Sequence, residues 1–114
     1  MKNPKSLKVF ELADQLALAV YSATREFPKE ELYGMVSQLR RCAVSIPSNI
    51  VEGCARHTEA DFAHFMTVAL GSARELEYQL DLSKRLGFLK DEKVIDSSRE
   101  VAAAMHAFVK VLRQ

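Results

Sequence analysis

Apolar residues recur along this chain at alternating steps of three and four, in four separate stretches. In the first, Val9, Ala13, Leu16, Val20, Ala23 and Phe27 keep the rhythm, and Leu32, Met35/Val36, Leu39, Ala43, Ile46, Ile50 and Gly53 keep it in the second. The third carries Phe62, Phe65/Met66, Ala69, Ala73, Leu76 and Leu80, the fourth Val94, Val101, Met105, Phe108 and Leu112. A half-buried strand alternates with period two, whereas a seam of threes and fours is one face of an amphipathic helix. Ala13, Ala43, Ala69, Gly71 and Ala73, the small residues along the seams, predict close approach of neighbouring helices.

The punctuation between the stretches agrees with four helices. Phe27-Pro28 separates the first from the second, since proline is favoured in a first helical turn and disfavoured deeper in. Thr58-Glu59-Ala60-Asp61 has the form of a capping box that opens the third. Lys84-Arg85-Leu86-Gly87 closes it, with cations at the negative end of the helix and glycine at the left-handed position. Lys90-Asp91-Glu92 opens the fourth with acids at its positive end. Such short connections make neighbours antiparallel. The chain therefore reads as a single all-α domain over residues 1–114, an antiparallel up-down-up-down four-helix bundle with helices at about 7–26, 29–56, 59–86 and 91–113.

One local rule is broken. Pro47 falls inside the second helix, where an interior proline removes a backbone bond and costs about 3 kcal/mol. The apolar seam continues in phase across it, so the sequence predicts a kinked but continuous helix. Around the kink runs a polar stripe of Arg41, Ser45, Asn49 and Glu52, matched on the third helix by Gly71, Ser72, Arg74, Glu75 and Gln79. A fold-back near residue 57 sets Arg40 and Arg41 opposite Glu75, and Asn49 and Glu52 opposite the Phe62 to Met66 region with His64. These groups are expected to tie the two long helices together across a partly buried seam, so that Arg41→Ala lowers the melting temperature. A binding surface on the same residues is the competing reading.

Composition limits the function. With 16 basic and 15 acidic residues among 114, the net charge is only +1, so a nucleic-acid face must come from local clustering. The candidate clusters are Lys2, Lys5 and Lys8, then Arg40, Arg41 and Arg56, then Lys84 and Arg85. The longest plainly apolar run, Leu16 to Tyr21, is six residues, far short of the roughly 20 that a membrane span requires. With no secretion signal visible either, a cytoplasmic protein is expected. Cys42 and Cys54 sit about 18 Å apart along one helix, beyond the ~7 Å reach of a disulfide, and read as small buried hydrophobes.

The run Gln38-Leu39-Arg40-Arg41-Cys42-Ala43-Val44-Ser45-Ile46-Pro47-Ser48-Asn49-Ile50-Val51-Glu52-Gly53 resembles the signature of the 23S rRNA intervening-sequence proteins. These are also called four-helix bundle proteins or the S23 ribosomal protein family. Ala69-Leu70-Gly71-Ser72-Ala73-Arg74-Glu75-Leu76-Glu77 is similar to the family in the matching place, as is Phe27-Pro28 followed by Glu30-Glu31-Leu32-Tyr33-Gly34. The likeness runs from about Leu7 to Leu112. It implies a four-helix bundle assembling as a ring-shaped homopentamer. It marks Arg40, Arg41, Ser45, Pro47, Asn49, Glu52, Gly53, Gly71, Ser72 and Glu75 as motif positions. Some members are encoded in inserts within 23S rRNA genes, and related accessory proteins of diversity-generating retroelements bind nucleic acid and a reverse transcriptase through a basic surface.

The residues point to an oligomer on their own as well. Phe10, Ala17, Leu18 and Tyr21 lie off the main stripe of the first helix, and Val68 and Leu70 off that of the third, and a second apolar face usually means a partner. Catalytic constellations are absent from the pattern. A di-metal bundle needs two Glu-x-x-His motifs and two further carboxylates, whereas Asp61-x-x-His64 occurs once. His57 precedes the N-cap, and His106 has only Glu100 near a matching offset. Neither cysteine has a base at helical spacing, and no glycine-rich phosphate loop occurs. The expectation is a non-enzymatic, homo-oligomeric scaffold without cofactor or metal, whose partners are copies of itself and RNA or a nucleic-acid-associated protein. The alternative is a small enzyme or ligand- or metal-binding bundle with an inter-helix pocket near Glu52 and His64.

Overall fold

A computed structural model describes residues Met1–Gln114. The molecule is all-helical, with four long helices and no strand: α1 (Lys8–Thr24), α2 (Ser37–Cys54), α3 (Glu59–Arg85) and α4 (Lys93–Leu112). Each seam faces inward, and together they build one core of 24 buried residues. Leu32 is the exception, standing exposed before α2 begins. Thr24, Ser83 and Ser98 are buried at seam positions without loss of hydrogen bonding, because each hydroxyl donates to a carbonyl of its own helix: Val20 at 2.8 Å, Gln79 at 2.9 Å and Ile95 at 2.7 Å.

The second segment departs from the expected continuous helix. After Pro28 the chain forms a 3₁₀ turn (Lys29–Glu31) and a π-helical turn (Leu32–Val36) before α2 starts at Ser37. Gly34 is non-helical (φ −110°, ψ −110°), and the Glu31 carboxylate accepts from the Met35 amide at 3.1 Å, so a side chain replaces the interrupted backbone ladder. From Ser37 to Cys54 the helix runs unbroken through Pro47.

The caps are those the sequence marks. Thr58 Oγ1 accepts from the Asp61 amide at 3.1 Å. At the other end of α3, Gly87 takes φ +83°, while the Phe88 amide donates to Ser83 and the Gly87 amide to Lys84, at 2.9 and 3.0 Å. This Schellman pair needs the left-handed glycine. α4 begins two residues later than expected, with Asp91 Oδ1 accepting from the Lys93 amide at 2.9 Å.

α2 packs against α1 and α3, and α4 against α3 and α1. At one pole the Lys2 amide donates to the Cys54 carbonyl at 2.8 Å, and Phe62 meets Phe108 edge-on at 6.1 Å. At the other pole Phe27 and Phe88 pack at 5.9 Å, joining the two opposite connections. α2 and α3 approach closely at Gly53, where a Cβ would stand 2.7 Å from Met66 Cε and 2.8 Å from Phe65 Cβ. Gly71, expected at a close approach, instead faces open space. No helix is long and apolar enough to cross a membrane.

Candidate functional site

The polar stripe of α2 does meet α3, through a different residue. Between the helices, the Cys42 thiol donates to the Ser72 carbonyl at 3.2 Å and to Glu75 Oε1 at 3.5 Å. Burial, reinforced by the charge of Glu75 and its hydrogen bond, pushes this thiol from the ordinary 9.0 up to about 12. Ser45 Oγ donates to the Cys42 carbonyl and Asn49 Nδ2 to the Ser45 carbonyl, both at 2.7 Å, so these two motif side chains serve the α2 backbone beside Pro47. Gln79 Nε2 donates to Glu75 at 3.4 Å, while its buried Oε1 has no partner.

Of the two arginines expected opposite Glu75, only Arg41 shares a cleft with it. Arg40 turns to α1 instead: its Nε donates to Thr24 Oγ1 at 2.9 Å, its Nη2 reaches the Tyr21 carbonyl at 3.5 Å, and its guanidinium lies 4.6 Å from the Tyr21 ring centre. Arg41 is exposed and lines a cleft with Tyr33, Gln38, Ser45 and Glu75, yet makes no ion pair or hydrogen bond. Adjacent arginines on a helix point about 100° apart, so one faces α1 when the other faces the α3 side.

Local carboxylates neutralise most of the remaining candidate cations. Lys2 pairs with Glu59 at 2.8 Å, Lys8 with Glu11 at 3.7 Å and Arg85 with Asp81 at 3.0 Å. Arg56 pairs with Glu52, and Lys84 with Glu92. Lys5, Arg40 and Arg41 keep no carboxylate. Sequence reasoning passed over Arg25 and Lys29, which flank Phe27-Pro28 and line one cleft with Arg40. Their signal was weak, because the stretch reads first as a helix break. Thr24, the anchor of Arg40, was detectable as a polar residue one turn beyond Val20 on the seam.

Glu52 is committed to Arg56, and His64 is exposed beside the Phe65 ring at 5.4 Å. Neither they nor Asn49 line any of the five main cavities, and no three His, Cys, Asp or Glu side chains gather as metal ligands.

The family model described as 23S rRNA-intervening sequence protein matches residues 5–108. The chain belongs to this family. Among solved structures, it is similar to a protein of unknown function from the S23 ribosomal protein family of Bacteroides thetaiotaomicron, with a TM-score of 0.80 and 25% identity over 90% of this chain and 95% of that one. No curated protein matches it. The family match spans both motif stretches, so the Cys42–Glu75 contact and Pro47 lie inside the matched region.

Proposed function

We propose that this member of the 23S rRNA-intervening sequence family is a non-enzymatic scaffold acting as a homo-oligomer, a pentameric ring, in the cytoplasm. The observation that carries this reading is an apolar strip left outside the core along α1 and α2. Leu18 is 67% exposed, Tyr21 42%, Val44 40% and Val51 46%. Val44 and Val51 lie two turns apart on one face of α2, and Arg40 on the Tyr21 ring sets that face beside α1. Patches of this kind mark association surfaces. The chain order of the packed helices and the aromatic pairs at the two poles support an up-down-up-down antiparallel bundle, with a bend at Pro47 where the Ala43 carbonyl loses its amide donor.

RNA or a nucleic-acid-associated protein is the partner proposed for the assembly, from the family's description and the cations without carboxylates. No observation at Glu52 or His64 favours the alternative of an inter-helix enzyme or metal site. Light scattering on the purified protein at micromolar concentration tests the assembly: the expected mass is about five times the 12.8 kDa chain, and a monomer overturns the scaffold reading. A structured RNA should shift with the protein at low salt and release steeply as salt rises, because phosphate contacts dominate such binding.

A further inference from the structure

The pole where α1 turns towards α2 holds a cleft of about 470 Å³, within the range of small-molecule sites. Its lining is Thr24, Arg25, Phe27, Pro28, Lys29, Leu32, Val36 and Arg40, three cations above an apolar floor and no acid. None of the three cations has a carboxylate within 4.0 Å. Nearby acids face elsewhere: Glu31 caps the Met35 amide, and Glu26 lines a different cavity, against α4. Glu30 is exposed and unpaired.

Arg40 gives the cleft its shape. The buried Thr24 hydroxyl holds Nε and the Tyr21 ring supports the guanidinium plane, while Nη1 has no partner in the chain. A half-buried arginine with one edge anchored and the other unpaired is preorganised for an anion, because its fork loses little freedom on binding. Exposed Leu32 and the adjoining Phe27 and Pro28 then offer contact to whatever carries that charge.

We propose that this cleft binds a small amphiphilic anion, a phosphate monoester or carboxylate head on a short apolar body. The head sits on Arg40, Arg25 and Lys29 and the body against Leu32 and Phe27. Arg40 is common to this cleft, to the face proposed for association and to the cations offered to RNA, whereas Arg25 and Lys29 belong to the cleft alone.

Amide-resolved NMR of the full chain tests it, titrating hexyl phosphate, hexanoate, inorganic phosphate and hexyltrimethylammonium separately. The expected result is saturable shifts confined to residues 24–40 with the two hexyl anions, weaker with inorganic phosphate and absent with the cation. Comparing the two anions shows which head group the cleft prefers. Lys29→Met, an exposed change that spares the core, and Arg40→Met should each weaken binding at least about tenfold. Shifts that the cation reproduces, shifts outside the cleft, or unchanged affinity in Lys29→Met overturn the proposal. So does a short RNA that shifts these amides at concentrations where hexyl phosphate does not.

Discussion

Arg40 and Arg41 are neighbours in sequence with opposite fates. Arg40 spends its guanidinium on Thr24 and Tyr21, whereas Arg41 stands in solvent without a partner. Arg40→Ala should therefore cost about 1–2 kcal/mol, from a charged hydrogen bond and a cation–π contact. Arg41→Ala should stay within about 0.5 kcal/mol, reversing the sequence-based expectation. Denaturant unfolding of the two variants checks the contrast. Cys42 offers a second reading of the α2–α3 seam. Its thiol keeps its proton in the folded state up to about pH 12 but loses it in the unfolded chain near 9.0, so its contribution is intact below pH 9 and drains away above it. Unfolding free energy should fall by up to about 1.4 kcal/mol per pH unit in that window through this group. Cys42→Ala should flatten the slope of a pH series of urea melts.

For a helix, what matters is which of its faces has no room. Gly53 is a point of close approach of α2 to α3, and Gly53→Ala drives a methyl against the Phe65 Cβ. The overpacking cost, about 1–3 kcal/mol, outweighs the 0.5–1 kcal/mol that alanine gains in a helix. Gly71 has nothing around it, so Gly71→Ala should stabilise by about 0.5–1 kcal/mol. Thermal melts of the pair should move in opposite directions. The four helices, their inward faces and the caps at Thr58 and Gly87 could be read from the sequence because each rests on local periodicity or a local backbone need. The break at Gly34 could not, since Glu31 capping Met35 in a π-helical turn leaves no periodic trace. Nor could the choice between Arg40 and Arg41, which depends on how far α2 is rotated between its two neighbours. The Arg25–Lys29–Arg40 cleft was hidden for a related reason: its cations come from two elements brought together only by the turn at Pro28.

In the whole molecule, charge and apolar surface are sorted differently. Several cations are matched by carboxylates on their own or a neighbouring helix, while Leu18 and Tyr21 on α1 and Val44 and Val51 on α2 stay uncovered. If that strip holds the copies together, Val44→Asp combined with Val51→Asp should release a monomer by light scattering while the helical circular dichroism is kept. The molecule is long, 44 Å by 21 by 19, and its two poles are unlike. Lys2 is bonded to Cys54 and Arg113 to Thr67, at 2.8 and 2.9 Å, so the first and last residues leave the molecule on the same side. A dye or affinity handle at either end thus reports from one pole, away from the cationic cleft at the other. Fluorophores at residues 114 and 29 would straddle the long axis, making the chain its own ruler: if the proposed assembly forms, their separations tell end-to-end from side-by-side contact.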